Sequence, residues 1–231
     1  MLWGSTNVKS MRWVIATTLA TAAIPTMACA ATTDVQGWGS VTVSGKVTDG
    51  ILASGEVVNR FADDAQRLGQ LELRAHVGHA VSKKVTIWLG YVHVVTYAKT
   101  GRDSIEEQSM EQVNWNMGKI LGGSLSSRTR LEQRFQRGVS DIAWRIRSQV
   151  KLAVPLGQHG VSGVVWVEPF VSLNRTSAVR PGLDQVRSFA GLGMKLSKHV
   201  DLEAGYLNQY LDRANGDRSN HALSLSLSYR L

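Results

Sequence analysis

Long segments in which apolar and polar residues alternate constrain this chain most. The segment IAWRIRSQVKLAV, residues 142–154, places Ile, Trp, Val and Leu side chains on one face and two arginines, a glutamine and a lysine on the other. Successive side chains of a β-strand point to opposite faces, so each such segment predicts a strand with one apolar and one polar face. The sequence therefore predicts an all-β fold.

Alternation of this kind recurs from residue 38 to the C-terminus, where helical periodicity is hard to find. Most segments run 10 to 14 residues, longer than the five or six residues typical of a soluble sheet. A tilted strand needs about 9–11 residues to cross a bilayer, so these lengths fit membrane strands. The predicted strands are 38–47, 51–61, 69–80, 85–97, 109–120, 125–137, 142–155, 161–174, 185–197, 200–212 and 221–231.

The connections between these strands alternate between short turns and longer polar links. Short turns lie near residues 48–50, 82–84, 121–123, 157–160 and 197–199. Longer links lie at 62–68, 98–108, 138–141, 175–184 and 213–220. Outer-membrane barrels have short periplasmic turns and longer outer loops. The pattern predicts a single-domain antiparallel transmembrane β-barrel of about 10–12 strands.

The number of strands decides at which end of the barrel the first strand begins. With eleven strands the first would begin at the loop end, whereas an exported chain enters the membrane from the turn end. Single-chain bacterial barrels usually have an even number of strands. We therefore expect twelve strands, with residues 31–37 helping to form another, or ten, with 38–47 falling short of a full crossing.

The N-terminus predicts export. The segment MRWVIATTLATAAIPTMACA begins at Met11 with a basic residue, continues with an apolar run and ends in Ala-Cys-Ala. A cationic start, a short apolar core and an A-x-A site predict a signal peptide at residues 1–30, with Met11 as an alternative start. The barrel then comprises residues 31–231. A rival interpretation makes Cys29 a lipidated first residue, although Thr26 stands where a lipobox has Leu.

The composition and the motifs of the sequence limit which classes of partner and cofactor are expected. The formal net charge of +8 would allow a nucleic-acid partner, but the basic residues are spread along the chain and form no patch, so we expect none. No glycine-rich phosphate loop opens a helix, and no Cys/His cluster has metal-ligand spacing, so no cofactor or metal site is predicted. The partners expected of a bacterial outer-membrane barrel are membrane lipid, lipopolysaccharide and the barrel-assembly machinery.

Charged residues on the polar faces of the predicted strands are expected to line the barrel interior. An arginine in the lipid midplane costs roughly 2–4 kcal/mol, so these residues point inward. An excess of arginine predicts either a narrow, anion-favouring channel or a network of Arg–Glu pairs that fills the lumen. The expected luminal residues are Glu56, Arg60, Glu72, Arg74, Arg128, Arg130, Glu132, Arg134, Arg145, Arg147, Lys151, Glu168 and Arg187.

The last strand carries a candidate assembly signal. HALSLSLSYRL alternates leucines with serines and has an aromatic residue third from the end. The signal by which outer-membrane barrels are recognised for assembly is similar, although its last residue is aromatic and here it is Leu. The residues concerned are Leu223, Leu225, Leu227, Tyr229 and Leu231.

Four segments together, SSRTRLEQRF, WLGYVHV, LEAGYLNQY and NHALSLSLSYRL, resemble domain-of-unknown-function family 2490. The resemblance covers about residues 37–231. It implies an exported outer-membrane β-barrel. It implies no activity, substrate or catalytic residue.

Two other classes of protein stay open. An outer-membrane enzyme acting on lipid or peptide at the outer rim would need a base such as His93, and Ser224 near His221 is a conceivable nucleophile. A soluble periplasmic β protein would extract without detergent. The acidic pair Glu106-Glu107 is expected in an outer loop, where it could bind divalent ions that bridge lipopolysaccharide. The tryptophans Trp38, Trp88, Trp115, Trp144 and Trp166 are candidates for interfacial girdles.

Overall fold

The alternating segments form strands in the computed structural model, which describes residues 32–157 and 160–231. Within that part of the chain, all regular secondary structure is β-strand, and no helix has the length and hydropathy needed to cross a membrane. The strands are β1 (Thr32–Thr48), β2 (Ile51–Ala62), β3 (Arg67–Ala80), β4 (Val85–Thr96), β5 (Ser104–Ile120), β6 (Gly123–Gln136), β7 (Ala143–Pro155), β8 (Val161–Ser172), β9 (Gly182–Lys195), β10 (Val200–Leu211) and β11 (Arg218–Arg230).

The sheet closes into a barrel in which each strand pairs with its sequence neighbours. These pairs are antiparallel, but the closing pair of β1 and β11 is parallel, from Thr32 opposite Arg218 to Ser44 opposite Arg230. The described residues thus form an eleven-stranded barrel of mixed type. The count of eleven confirms the predicted range of about 10–12 strands. Neither twelve nor ten strands form, because residues 32–37 extend β1 along β11 and belong to the same strand.

Connections at the two ends of the barrel differ in length, which confirms the predicted alternation. At the turn end, residues 49–50 join β1 to β2 and residues 121–122 join β5 to β6. At the loop end, residues 97–103 join β4 to β5 and residues 173–181 join β8 to β9. Because β1 runs parallel to β11, it begins at the loop end.

The start of β1 is held by the loop that follows β2. The carboxylate of Asp34 accepts hydrogen bonds from the backbone N–H groups of Asp63, at 3.3 Å, and Asp64, at 3.2 Å. The backbone N–H of Ala65 donates to the carbonyl of Val35 at 3.0 Å. These contacts explain why the strand extends beyond the apolar alternation that predicted it.

The two faces of the sheet differ as the alternation predicts. Apolar side chains on the outward face are exposed, for example Leu89 at 67%, Val167 at 44% and Leu225 at 51%. The buried hydrophobic cluster lies inside the barrel, on the luminal face of β1 and β8 to β11. Its members are Trp38, Val164, Phe189, Leu207 and Ala222.

Two facing glycines let an aromatic ring lie flat against the wall of this cluster. A Cβ atom on Gly191 would lie 2.7 Å from Cζ of Phe189, and one on Gly205 would lie 2.8 Å from it. The indole of Trp166 stacks on the Phe189 ring at 5.4 Å between centroids. Trp38 and Trp166 therefore fill the lumen and are not girdle residues, whereas Trp115 and Trp144 face outward.

The predicted signal peptide, the alternative start at Met11 and the rival lipidation of Cys29 all lie outside the described residues, so they stay predictions.

Candidate functional site

The charged residues expected in the lumen lie there in the structure. All thirteen line internal cavities of the barrel. They come from β2, β3, β6, β7, β8 and β9, whose alternation turns every second side chain inward. Eight of the nine bases have a carboxylate within 4.0 Å.

Glu132 is the centre of the largest group of ion pairs. Its carboxylate lies 2.6 Å from Arg145, 2.9 Å from Arg147 and 3.9 Å from Arg130. The side chain of Glu132 is only 1% exposed. A buried carboxylate is tolerated when such partners compensate its desolvation.

A second group joins β2 to β3. Arg60 pairs with Glu72 at 2.5 Å, and Arg74 pairs with Glu56 at 2.8 Å and also with Glu72. A third group centres on Glu168, which lies 3.1 Å from Arg128 and 3.7 Å from Arg147.

Three luminal acids were missed by the sequence reasoning. Glu106, expected in an outer loop, lies in β5, is 7% exposed and pairs with Arg134 at 2.7 Å. Asp184 pairs with Arg145 at 3.3 Å, and Glu203 pairs with Lys151. The polar alternation of Glu106, Gln108, Gln112 and Asn114 is the signal that would have placed Glu106 in a strand. The divalent-ion site proposed for the pair Glu106-Glu107 is therefore withdrawn.

Two vestibules lie in the lumen, one toward the turn end and one toward the loop end of the barrel. The turn-side vestibule has a volume of about 600 Å³, and the loop-side vestibule about 480 Å³. Four side chains line both of them and form the arginine layer. They are Arg60, Arg74, Arg147 and Arg187.

Aromatic rings hold the arginine layer in place. The guanidinium carbons of Arg60 and Arg187 lie 4.3 and 5.0 Å from the ring centroid of Trp38. Those of Arg147 and Arg187 lie 5.0 and 4.5 Å from the ring centroid of Phe170. Such cation–π contacts strengthen when they are shielded from water. Trp38, a member of the apolar cluster, thus links that cluster to the charged network.

Arg187 differs from the other bases of the lumen. It is 7% exposed, yet no carboxylate of the described residues lies within 4.0 Å of its guanidinium group. Its one hydrogen bond to these residues runs from Nε to Oε1 of Gln185 at 3.3 Å. No sequence signal separates Arg187 from the other arginines, because pairing depends on distant strands.

The outward face carries one notable polar group near the loop end. Nδ1 of His93 lies 2.9 Å from Oε1 of Glu107, and the hydroxyl of Tyr91 donates to Oε2 of Glu107 at 2.5 Å. This is a histidine oriented by a carboxylate. The imagined triad at His221 and Ser224 is wrong, because His221 faces outward beside Tyr206 whereas Ser224 lines the turn-side vestibule.

Among residues 32–157 and 160–231, no group of three His, Cys, Asp or Glu residues is placed to hold a metal ion.

At the loop end, the Arg67 guanidinium donates to the Asp63 carboxylate at 2.9 Å and lowers the pKa of Asp63. Lys99, at 3.6 Å from the same carboxylate, acts in the same direction.

The residues of the candidate assembly signal lie on the outward face of β11, from the middle of the strand to its turn end. Leu223, Leu225 and Leu231 are 73%, 51% and 79% exposed. Tyr229 stands beside His199 at 6.1 Å between ring centroids. Recognition of this strand by the assembly machinery stays a prediction.

The class of this protein is thus a closed, eleven-stranded β-barrel with a charged and aromatic lumen. The model of a family described as "Protein of unknown function (DUF2490)" matches residues 35–220. The chain belongs to this family, which confirms the resemblance noted in the sequence.

A relative and a solved structure are similar to this chain. An uncharacterized protein of Methylorubrum extorquens is 37% identical over 201 residues, which cover 85% of this chain and 88% of that protein. LpxR from Salmonella typhimurium is 12% identical, with a TM-score of 0.45 over 77% of this chain and 83% of that one.

Proposed function

We propose that the barrel spans a bacterial outer membrane, with the turn end in the periplasm and the loop end outside. Two observations support this location, in addition to the export predicted from the sequence. The outward face is apolar, and the short and long connections lie at opposite ends of the barrel. Cell fractionation tests the location: recovery only with detergent from the outer-membrane fraction is expected, and release as a soluble protein would contradict it.

We propose further that side chains block the lumen, so that the barrel has no open pore at rest, and that the role of the protein is structural. The single observation that carries this proposal is the arginine layer between the two vestibules. Its side chains are ion-paired or stacked on Trp38 and Phe170. These contacts hold the four side chains in place across the lumen, so we expect no open path at rest.

The anion-favouring conduit is the alternative state of the same lumen. If the layer opened, its arginines would form a constriction with positive charge, and charged rings at a constriction set ion selectivity. A conduit therefore requires an opening signal, such as a ligand or membrane potential.

Planar-bilayer recordings of the protein purified from expressing cells test the closed lumen. The wild type is expected to insert without conductance steps. The variant Arg147→Ser/Phe170→Ala removes a guanidinium group and a ring from the layer, so steps are expected. Heat-dependent gel mobility checks that each variant is folded. Steady conductance steps with anion selectivity in the wild type would contradict the blocked lumen. If Arg147→Ser alone reduced that selectivity, the result would support the anion-favouring conduit.

An enzyme at the outer rim is the second candidate, and the polar group on β4 and β5 favours it. A carboxylate that orients an imidazole is the arrangement of a general base. Here Glu107 orients His93 on the outward face, where the ester groups of outer-leaflet lipids would lie.

Release of fatty acid from outer-membrane lipid vesicles tests this candidate. If it holds, His93→Ala abolishes the activity of the purified protein. His221→Ala, which removes a second outward histidine, is the matched control and leaves activity intact. Equal activity of wild type and His93→Ala would eliminate this candidate.

A further inference from the structure

We propose that the lumen contains a binding site for a small oxyanion, such as phosphate or sulfate, centred on Arg187. The site would lie in the arginine layer, where both vestibules reach it. This inference goes beyond the structural role proposed above, and it does not depend on where the barrel resides.

Charge balance is the first argument. Arg187 is buried, at 7% exposure, and a buried charge is costly unless a partner compensates it. Every other base predicted in the lumen has a carboxylate within 4.0 Å, the most distant being Arg130, 3.9 Å from Glu132. Arg187 has none at that distance among the described residues; Glu168 faces it across the β8–β9 pair but is engaged by Arg128 and Arg147. A bound anion would supply the missing partner.

The geometry of Arg187 is the second argument. The rings of Trp38 and Phe170, at 5.0 and 4.5 Å, stack against the guanidinium group and restrict its orientation. Gln185 accepts from Nε. Neither terminal amino group donates to another described residue, so their paired N–H groups remain available. A guanidinium group in this state is preorganised to bind an oxyanion through two parallel hydrogen bonds.

The surroundings of Arg187 are the third argument. Arg60 shares the Trp38 ring with it, and Arg147 shares the Phe170 ring. Three guanidinium groups therefore meet here, and two of them are already paired, with Glu72 and Glu132. The field of the layer favours an anion, while the glutamates keep the total charge of the site moderate.

The available space is the last argument. The vestibules have volumes of about 600 and 480 Å³, whereas a water molecule occupies roughly 30 Å³ of the liquid. A phosphate ion with its hydration water fits at either side of Arg187. Serine hydroxyls line the turn-side path to it, at Ser40, Ser224 and Ser226.

Inorganic phosphate is the probe for a calorimetric and thermal test. The full-length gene product, purified in non-ionic detergent, is titrated with sodium phosphate against sodium chloride at equal ionic strength. We expect saturable binding with one phosphate per barrel and a saturable rise in the thermal midpoint. The chloride titration should produce neither effect.

Three variants separate the site from general electrostatics. Arg187→Met should lose saturable phosphate binding, and without phosphate it should melt at or above the wild-type temperature because an unpaired charge is gone. Arg187→Lys keeps the charge but lacks the guanidinium fork, so its affinity should fall at least about tenfold. Lys99→Met, on an outer loop, should bind phosphate as the wild type does.

Two outcomes would overturn the proposal. The first is equal phosphate binding by the wild type and Arg187→Met, which would mean an adventitious ion only. The second is a loss of stability in Arg187→Met without phosphate, since this would show that the protein itself already compensates the charge.

Discussion

The two halves of the lumen are filled differently. On β2, β3, β6 and β7 most inward side chains at the centre are arginines and glutamates, and Glu132 alone contacts three guanidinium groups. On β1 and β8 to β11 an apolar cluster, with Trp166 stacked on Phe189 beside two glycines, accompanies polar residues such as Glu168 and Arg187. The same barrel wall surrounds both.

The two halves of the lumen therefore depend on different properties for their stability. The apolar half depends on shape, because the rings need empty space where Gly191 and Gly205 lack side chains. The charged half depends on partners, because each buried ion is tolerated only while its counter-ion remains. Arg187, at the boundary, has neighbours from the apolar half and a charge typical of the other half.

The largest expected effect is in the charged half. Glu132→Gln preserves shape but removes the carboxylate from Arg130, Arg145 and Arg147. We expect a loss of about 3–5 kcal/mol in the free energy of unfolding, because these arginines become partly uncompensated. Urea unfolding in detergent, followed by tryptophan fluorescence, measures it.

A matched pair and a double variant are the controls for this result. Glu203→Gln affects an ion pair whose side chains are 32% and 22% exposed, so its cost should be below about 1 kcal/mol. Adding Arg130→Met to Glu132→Gln should restore part of the lost stability. Equal losses for Glu132→Gln and Glu203→Gln would remove the distinction between buried and accessible pairs.

The next effect tests the shape requirement of the apolar half. A Cβ on Gly191 would meet the carbonyl oxygen of Ala204, and it would lie 2.7 Å from Cα of Gly205. Gly191→Ala should therefore cost about 1–3 kcal/mol through overpacking, measured by the same unfolding experiment. Gly55→Ala is the control, because a Cβ there has nothing within 4 Å, and it should be neutral or slightly stabilising.

The smallest effect is expected for the ion pair of Asp63 and Arg67 at the loop end. Because this pair is partly exposed, its contribution to stability can be compared with that of the buried ion pairs in the lumen. Hydrogen bonding to Arg67 lowers the pKa of Asp63. Its contribution to stability is therefore present above the unfolded pKa and lost as pH falls through the lower folded pKa. Asp63→Asn, which tolerates the positive φ of 55°, should be slightly less stable near pH 6.

Unfolding curves at pH 6 and pH 2 check this expectation. The difference between wild type and Asp63→Asn should shrink as the pH decreases, since protonation of Asp63 removes the charge that pairs with Arg67. A difference that stays constant with pH would mean that the ion pair is not its cause.

Most of the strands could be predicted from sequence, because alternation is a local property. The predicted strand 51–61 corresponds to Ile51–Ala62, and 200–212 to Val200–Leu211. The errors arose where alternation is polar on both faces. Glu106 and Glu107 belong to β5 and face opposite sides of the wall, although a run of acids and glutamines resembled a loop.

The candidate site was only partly predictable. Alternation was sufficient to gather the luminal charges, but it could not distinguish a paired base from an unpaired one. Arg128 and Glu168, for instance, form an ion pair across 40 positions of sequence and two strand boundaries. Trp38 and Phe170 likewise reach the arginine layer from strands far apart in the sequence, β1 and β8.

The sequence by itself determined the all-β class, the strand positions and the two faces of the wall, because side-chain direction in a strand follows from position alone. Only the tertiary structure decided the parallel closure of β1 on β11, the layer of four arginines that lines both vestibules, and the lack of a carboxylate within 4.0 Å of Arg187 among the described residues. These features depend on the register and curvature of the closed sheet, which bring together side chains from strands that are not neighbours.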